Sequence, residues 1–341
     1  MRVIARLLAL CSLPLLSFST LAAPVPGLYQ VREAVSSHQA AERERVLHQA
    51  LGTLVLRLTG DPLAVERPEL LALREAPEQL VSRYIYDGNT LVVDFDPTTT
   101  NLALRQAGLS LWGADRPELL VWWLNETPEG TQLVGDAADT ARVLQSAARH
   151  RSLPLRLPLA DLTEQMLVTR DVLLSADATE LSKLSVRYGM DALLAVSARP
   201  AGGRWQGRWQ VWMGKDLLQG SVDGASLPEL SDAVMLAVHK SLAPRFVVRP
   251  ETGAVVHLVV GHTDLIRYAE LERLLEPFQP RLRKIEGSRL TYRLQASAEQ
   301  LRAQLALLRL SEVSPPVRLV SQAGDPEALA QAYADNTLYF Q

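Results

Sequence analysis

Among 341 residues there is one cysteine, Cys11, and aromatic residues make up only 6% of the chain. A lone thiol excludes an intrachain disulfide and a centre built from several thiolates. No apolar run approaches the roughly 20 residues that a bilayer-spanning helix needs. Residues 7–16 form the clearest such run, and Pro14 interrupts it. Charge of either sign is in short surplus: 35 Lys and Arg face 38 Asp and Glu, for a formal net charge of −3 and a pI near 6.1. Nucleic-acid phosphates gain no general attraction from such a balance, so no nucleic-acid partner is expected. Catalytic signatures are missing as well, with no G-x-S-x-G, S-x-x-K, H-E-x-x-H or G-x-x-x-x-G-K in the chain.

What is present starts with the N-terminus. Arg2 and Arg6 precede the apolar run, and mostly small residues follow over 17–23, which is the order of a secretory signal. Thr20 and Ala22 place the expected cut after Ala22 and the product in the periplasm. Leu10 is not the small residue that a lipoprotein signal carries before its cysteine, so Cys11 is expected to leave unlipidated with residues 1–22. The remaining chain would be free of cysteine, more acidic by the loss of both arginines, and without a transmembrane segment.

At 48% hydrophobic and 21% charged residues the chain is globular, with length for two to three domains. Hydrophobic periodicity predicts an α/β (α+β) fold of three small mixed-sheet modules in series. Residues 23–114 read as β-α-α-β-β-α: Leu47, Leu51, Leu54, Val55 and Leu58 recur at helical spacing, and Asp87-Gly88-Asn89 marks a hairpin. A second helix is expected over 68–80. Residues 115–248 open on the continuous apolar run 119–124, as a strand covered on both faces would, followed by a helix over 136–150. They end in a meander turning at Gly202-Gly203 and Gly214-Lys215, closed by a helix. Residues 249–313 read as β-α-β-β-α, and 314–341 as a linker with a final strand at 337–340. The tail resembles a protease-cleavage tag, but Thr337 breaks that pattern, and it is read as native.

Few residues carry a chemical signal. Asp94 and Asp96 share one face of a strand end and could bind a divalent cation. Asp96 before Pro97 is better explained as a helix N-cap. His257 and His262 are spaced to face opposite ways on a regular strand, and His262-Thr263-Asp264 reads as another cap. Neither a catalytic set nor a metal or cofactor site is expected. Five of the six tryptophans, Trp122, Trp123, Trp205, Trp209 and Trp212, fall in the second module. Alternation puts Trp205 and Trp209 on one strand face and Trp212 on the other. They either pack the core or form a partner-binding surface, since Trp is enriched at binding hot spots.

The segments Ala41-Glu42-Arg43, Leu56-Arg57-Leu58-Thr59-Gly60-Asp61, Asp94-Phe95-Asp96-Pro97 and 119–124 together resemble a proteobacterial envelope family, the domain of unknown function 2066, along essentially the whole mature chain. Residues 181–198, with Tyr188-Gly189-Met190-Asp191, are similar to the anticodon-binding-like domain of the TolB N-terminal region and the curli secretion lipoprotein. The first two modules also look like the flagellar H-ring protein of marine bacteria. These resemblances imply docking within the envelope and no activity. The reading is therefore a non-enzymatic periplasmic interaction protein whose partner is an envelope protein or membrane complex, with Trp205, Trp209 and Trp212 as the binding residues. The alternative is a periplasmic carboxylate hydrolase or small-ligand-binding protein.

Overall fold

The computed structural model describes residues 25–247, 255–314 and 336–341. The signal segment, Cys11 and the linker before the final strand lie outside the described residues. The fold is mixed α/β, with three sheets of three, six and four strands interleaved with helices.

In the first module β1 (Gln30–Ala34) leads into α1 (Ala40–Thr59), whose apolar stripe Leu47, Leu51, Leu54, Val55 and Leu58 is buried. Gly60 ends the helix at φ 72, a left-handed conformation that costs any residue with a Cβ. The helix expected over 68–80 is broken. Its last turns need amide hydrogens that Pro77 cannot supply, so it splits into 3-10 turns at Pro68–Leu70 and Pro77–Leu80 around the short α2 (Leu71–Glu75). Strands β2 (Val81–Asp87) and β3 (Thr90–Phe95) form the predicted hairpin, with sheet order β1-β3-β2. Asp96 then caps α3 (Pro97–Gln106) by accepting from the Thr99 amide at 2.7 Å.

The second module is a three-layer sandwich. Strand β4 (Leu119–Thr127) outruns the apolar segment and turns into β5 (Gly130–Leu133), a hairpin whose polar sequence carries little alternation. Helix α4 (Ala141–His150) starts five residues later than expected. After β6 (Leu155–Arg156) come three short helices, α5 (Leu162–Leu167), α6 (Arg170–Leu174) and α7 (Thr179–Ser185). Strands β7 (Ala192–Ala201), β8 (Arg204–Met213) and β9 (Asp216–Gly224) form the meander, and α8 (Leu227–Phe246) closes the module. The sheet order is β5-β4-β7-β8-β9, with β6 beside β4 and the β4–β7 and β4–β6 pairs parallel. One sheet face, with Val121, Trp123, Val196 and Trp209, packs on α4 and α8. Its other face, with Leu120, Trp122, Ala195 and Trp212, packs on the short helices.

The third module pairs β10 (Val255–Val260) with β12 (Arg289–Gln295), and β12 with β11 (Arg281–Glu286). Helices α9 (Leu265–Leu275), capped by Asp264 as its sequence predicts, and α10 (Ala298–Leu307) share its buried face. Strand β13 (Thr337–Phe340) adds to β10 in parallel and buries Leu338 and Phe340.

The modules are joined by polar contacts that leave backbone carbonyls satisfied. Arg57 of α1 donates to the carbonyls of His150 at 2.8 Å and Gln30 at 2.7 Å. Arg116 donates to the carbonyls of Arg57 at 2.6 Å and Ser152 at 3.2 Å. Gln300 of α10 donates to the Val247 carbonyl at 2.6 Å. No described helix is long and apolar enough to cross a membrane.

Candidate interaction surface

The predicted alternation along β8 holds: Trp205 and Trp209 face α8 and Trp212 faces the short helices. Trp209 and Trp212 retain only 5% and 8% of their surface, and Trp205 is half-buried against the α8 side. Trp209 spreads across β9, where a Cβ at Gly220 would sit 2.8 Å from its ring. Trp212 reaches the Ala176 carbonyl at 3.4 Å. These two rings therefore fill opposite cores of one sheet and do not converge on a shared face. Trp122 and Trp123 are fully buried as well.

Asp94 accepts from Gln30 at 2.7 Å and Arg83 at 2.7 Å, and Asp96 is occupied at its helix cap. Burial works to raise the Asp94 carboxyl, but these hydrogen bonds outweigh it and hold the carboxyl below its ordinary range. At Asp96 the Thr99 hydrogen bonds alone lower it. Among the described residues no group of three or more His, Cys, Asp or Glu side chains is placed to hold a metal ion.

A different surface stands out, and sequence periodicity missed it. Helix α5 is inverted: its buried side chain is Glu164, while Leu162 and Met166, one turn apart, are 74% and 71% exposed. Leu167 beside them and Leu159 just before the helix are also largely exposed, as is Val186. An ordinary surface helix turns its aliphatic residues inward and its carboxylates outward. Sidedness in so short a segment has no periodic signal to betray it.

The inversion is held by a polar anchor. Asp161 accepts from the Glu164 amide at 2.9 Å, and Glu164 accepts in return from the Asp161 amide at 3.2 Å, a reciprocal capping box. Tyr188 donates to Glu164 at 2.7 Å and accepts from the Leu159 amide at 2.9 Å, and Arg187 bridges Glu164 and Asp161. Burial, then the hydrogen bond to Glu164, raises the Tyr188 phenol, which keeps it a donor. The Glu164 and Asp161 carboxylates lie where the backbone amides of the first turn converge, so the helix start is electrostatically satisfied. Tyr188 in turn meets the fully buried Trp122 edge to face, ring centroids 6.2 Å apart. A line of contacts thus runs from the sheet to a helix that presents aliphatic side chains to solvent.

Beside α5 lies a cleft of about 380 Å³ lined by Leu124, Leu133, Ala138, Leu159, Gln165 and Val168. It opens between the β4–β5 hairpin and α5. A second concavity, about 350 Å³, lies on the sheet face beyond α6 and gathers Arg170, Arg199, Arg208, Ser197 and Asp223. Arg170 lies 3.7 Å from Glu126, which offsets one of the three arginines.

A model of a family described as Domain of unknown function (DUF8605) matches residues 22–113. This is a different family from the domain of unknown function 2066 expected along the whole mature chain, and the match covers the N-terminal module alone. No curated protein matches the chain. Solved structures similar to part of it include the lipoprotein GNA1162 from Neisseria meningitidis, at 19% identity over 37% of this chain and 96% of that chain, with a TM-score of 0.20. The Protein Y N-terminal domain from Thermus thermophilus is 9% identical over 38% of this chain and 97% of that chain, TM-score 0.19. A competence or damage-inducible protein from Enterobacter asburiae is 13% identical over 43% of this chain and 95% of that chain, TM-score 0.23. Likeness at this level says nothing of what the present chain does.

Proposed function

We propose that this chain is a non-enzymatic interaction protein of the periplasm that docks onto an envelope protein or membrane complex. The observation that carries the reading is the inverted helix α5, which exposes Leu162 and Met166 while burying Glu164. Burying a carboxylate costs free energy unless it is fully bonded. A fold that meets that cost in order to expose aliphatic side chains beside a cleft has the makings of a protein-binding surface. The docking residues move accordingly from Trp205, Trp209 and Trp212 to Leu159, Leu162, Met166 and Leu167. The secretory pattern of residues 1–22 and the resemblance to the domain of unknown function 2066 and the TolB N-terminal domain belong to the same reading.

The test is site-specific photo-crosslinking in the native host. A benzophenone amino acid at Met166 should capture a discrete envelope protein, and the same probe at the exposed Lys215 on the meander turn should not. Adding Leu162→Glu should abolish the capture while leaving the protein folded. Capture that is equal at both positions, or that survives Leu162→Glu, would overturn the reading.

A further inference from the structure

A second feature lies at the junction of the first two modules. His150, the last residue of α4, sits between two carboxylates drawn from different modules. Its Nδ1 is 2.7 Å from Asp232 Oδ1 on α8, and its Nε2 is 3.5 Å from Glu33 Oε1 on β1. A neutral imidazole has one N–H to donate, so it can serve only one of these acceptors. The imidazolium has two, so it can bond Asp232 and still carry a charge toward Glu33, to which Nε2 makes no hydrogen bond in the resting geometry. We propose that protonated His150 is a latch that ties the N-terminal module to the middle module and that loosens when the proton leaves.

Every element around His150 contributes a charged or polar group to the balance. From β1 comes Glu33, buried and already bonded by Thr53 Oγ1 at 2.6 Å and Gln49 Nε2 at 2.8 Å, both on α1. The same helix contributes Arg57, whose guanidinium donates to the backbone carbonyl of His150. Just past α4, Arg151 donates to Asp232 Oδ1 at 3.0 Å and also contacts Oδ2. From α8 come Asp232 and, further along, His239, which burial and Arg116 keep neutral. The two arginines therefore oppose a third positive charge, and the two carboxylates favour it.

Contact decides the outcome. Burial works to lower the His150 pKa, but the hydrogen bond to Asp232 and the nearby Glu33 carboxylate outweigh both it and Arg151, so the pKa is raised. A raised folded-state pKa adds stability that is fully present below the unfolded value, near 6.5 for histidine. That stability is lost as pH rises through the folded value. The side chain is 29% exposed, so solvent protons reach it without opening the fold. Thr53 and Gln49 keep Glu33 bonded after deprotonation, which removes the cross-module contact while leaving each module intact. A periplasmic chain meets external pH more directly than a cytoplasmic one, and its first two modules would be coupled more tightly in mildly acidic surroundings.

The experiment is an NMR titration of His150 in the full mature chain, paired with thermal melts from mildly acidic to mildly basic pH. His150 should titrate above about 6.5, and the melting temperature should fall as pH rises through that midpoint. In His150→Gln the fall over the same window should vanish. Glu33→Gln, which keeps the shape of the side chain and removes its charge, should move the His150 midpoint downward. The proposal is overturned if His150 titrates at or below about 6.5, if His150→Gln keeps the full pH dependence, or if Glu33→Gln leaves the midpoint in place. Should His150→Gln fail to fold, the wild-type and Glu33→Gln titrations decide the question alone.

Discussion

The guanidinium of Arg116 lies over the ring of Trp112, 4.3 Å from Cζ to the ring centroid. Trp112 is itself stacked on Phe246 of α8, with centroids 5.2 Å apart and planes 7° from parallel. Among the described residues no carboxylate bonds Arg116; carbonyls of Arg57, Ser152, Gly113 and Trp112 accept its hydrogens, and His239 Nε2 lies 3.2 Å away. Burial pushes its pKa down to about 9, which leaves it a cation at neutral pH. Arg116→Met should cost about 3–5 kcal/mol, because it strips donors from several buried carbonyls at once. Arg116→Lys should recover little, since an ammonium cannot span the fork. Urea denaturation of the three proteins measures both.

Gly60 should tolerate no side chain. Its φ of 72 is left-handed, and a Cβ there would fall 2.1 Å from the Cβ of Ala243 on α8. Gly60→Ala combines backbone strain with a clash across the module junction and should cost about 2–4 kcal/mol. The paired change Ala243→Gly should restore part of the loss. If Gly60→Ala melts like the wild type, the two helices do not approach as described.

Trp209→Ala should cost about 3–5 kcal/mol, as expected for a large ring removed from a packed core. Trp212→Ala should also destabilise, through the opposite face of the same sheet. Trp205→Ala should cost less than either, because its ring is only half-buried. Equilibrium unfolding of the three variants gives the ranking. A harmless Trp209→Ala would return that ring to the list of docking residues.

At α5 the expectation is reversed with respect to residue type. Leu162→Glu and Met166→Glu should change stability by no more than about 0.5 kcal/mol, being surface substitutions. Glu164→Ala should cost about 1–3 kcal/mol, since it leaves the Tyr188 hydroxyl and the Asp161 amide without their acceptor. Thermal melts of the three variants test the inversion independently of any partner.

The acid limb of stability should depend on the junction as well. Burial works to raise the carboxyls of Glu33 and Asp232. At Glu33 the nearby His150 and the Thr53 hydrogen bond, and at Asp232 the hydrogen bonds from His150 and Arg151, outweigh it and hold both below their ordinary range. Lowered folded-state values mean stability that is present above the unfolded carboxylate range, about 4, and lost as pH falls through the folded values. Asp232→Asn should flatten the acid limb. An unchanged limb in that variant would place the responsible carboxylates elsewhere.

Much of the fold was legible because its signals are local. The stripe Leu47 to Leu58, the turn at Gly202-Gly203 and the cap at Asp96 each depend on a few neighbouring residues. Only the sidedness of Trp205, Trp209 and Trp212 could be read from alternation. Whether each side was covered depended on α8 and the short helices arriving from elsewhere in the chain. The hairpin strand β5 and the helix α6 escaped notice because neither is long enough to establish a period. Glu33, Arg57, His150 and Asp232 were invisible as a group, being drawn together from separate elements by the docking of two modules. A buried arginine answered by carbonyls leaves no paired acid in the sequence to announce it.

Arg57 also bears on where the molecule can be divided. Its sheet lies within the first module, yet two of the carbonyls that answer its guanidinium, those of Arg149 and His150, belong to the second. A fragment ending near residue 114 would retain every strand of its own sheet and still hold a guanidinium with half its acceptors gone. The sheet boundary of the first module and the reach of its hydrogen bonds are therefore different lines. During synthesis every strand of the N-terminal sheet emerges before α4, and the two carbonyls that complete the bonding of Arg57 arrive only with that helix.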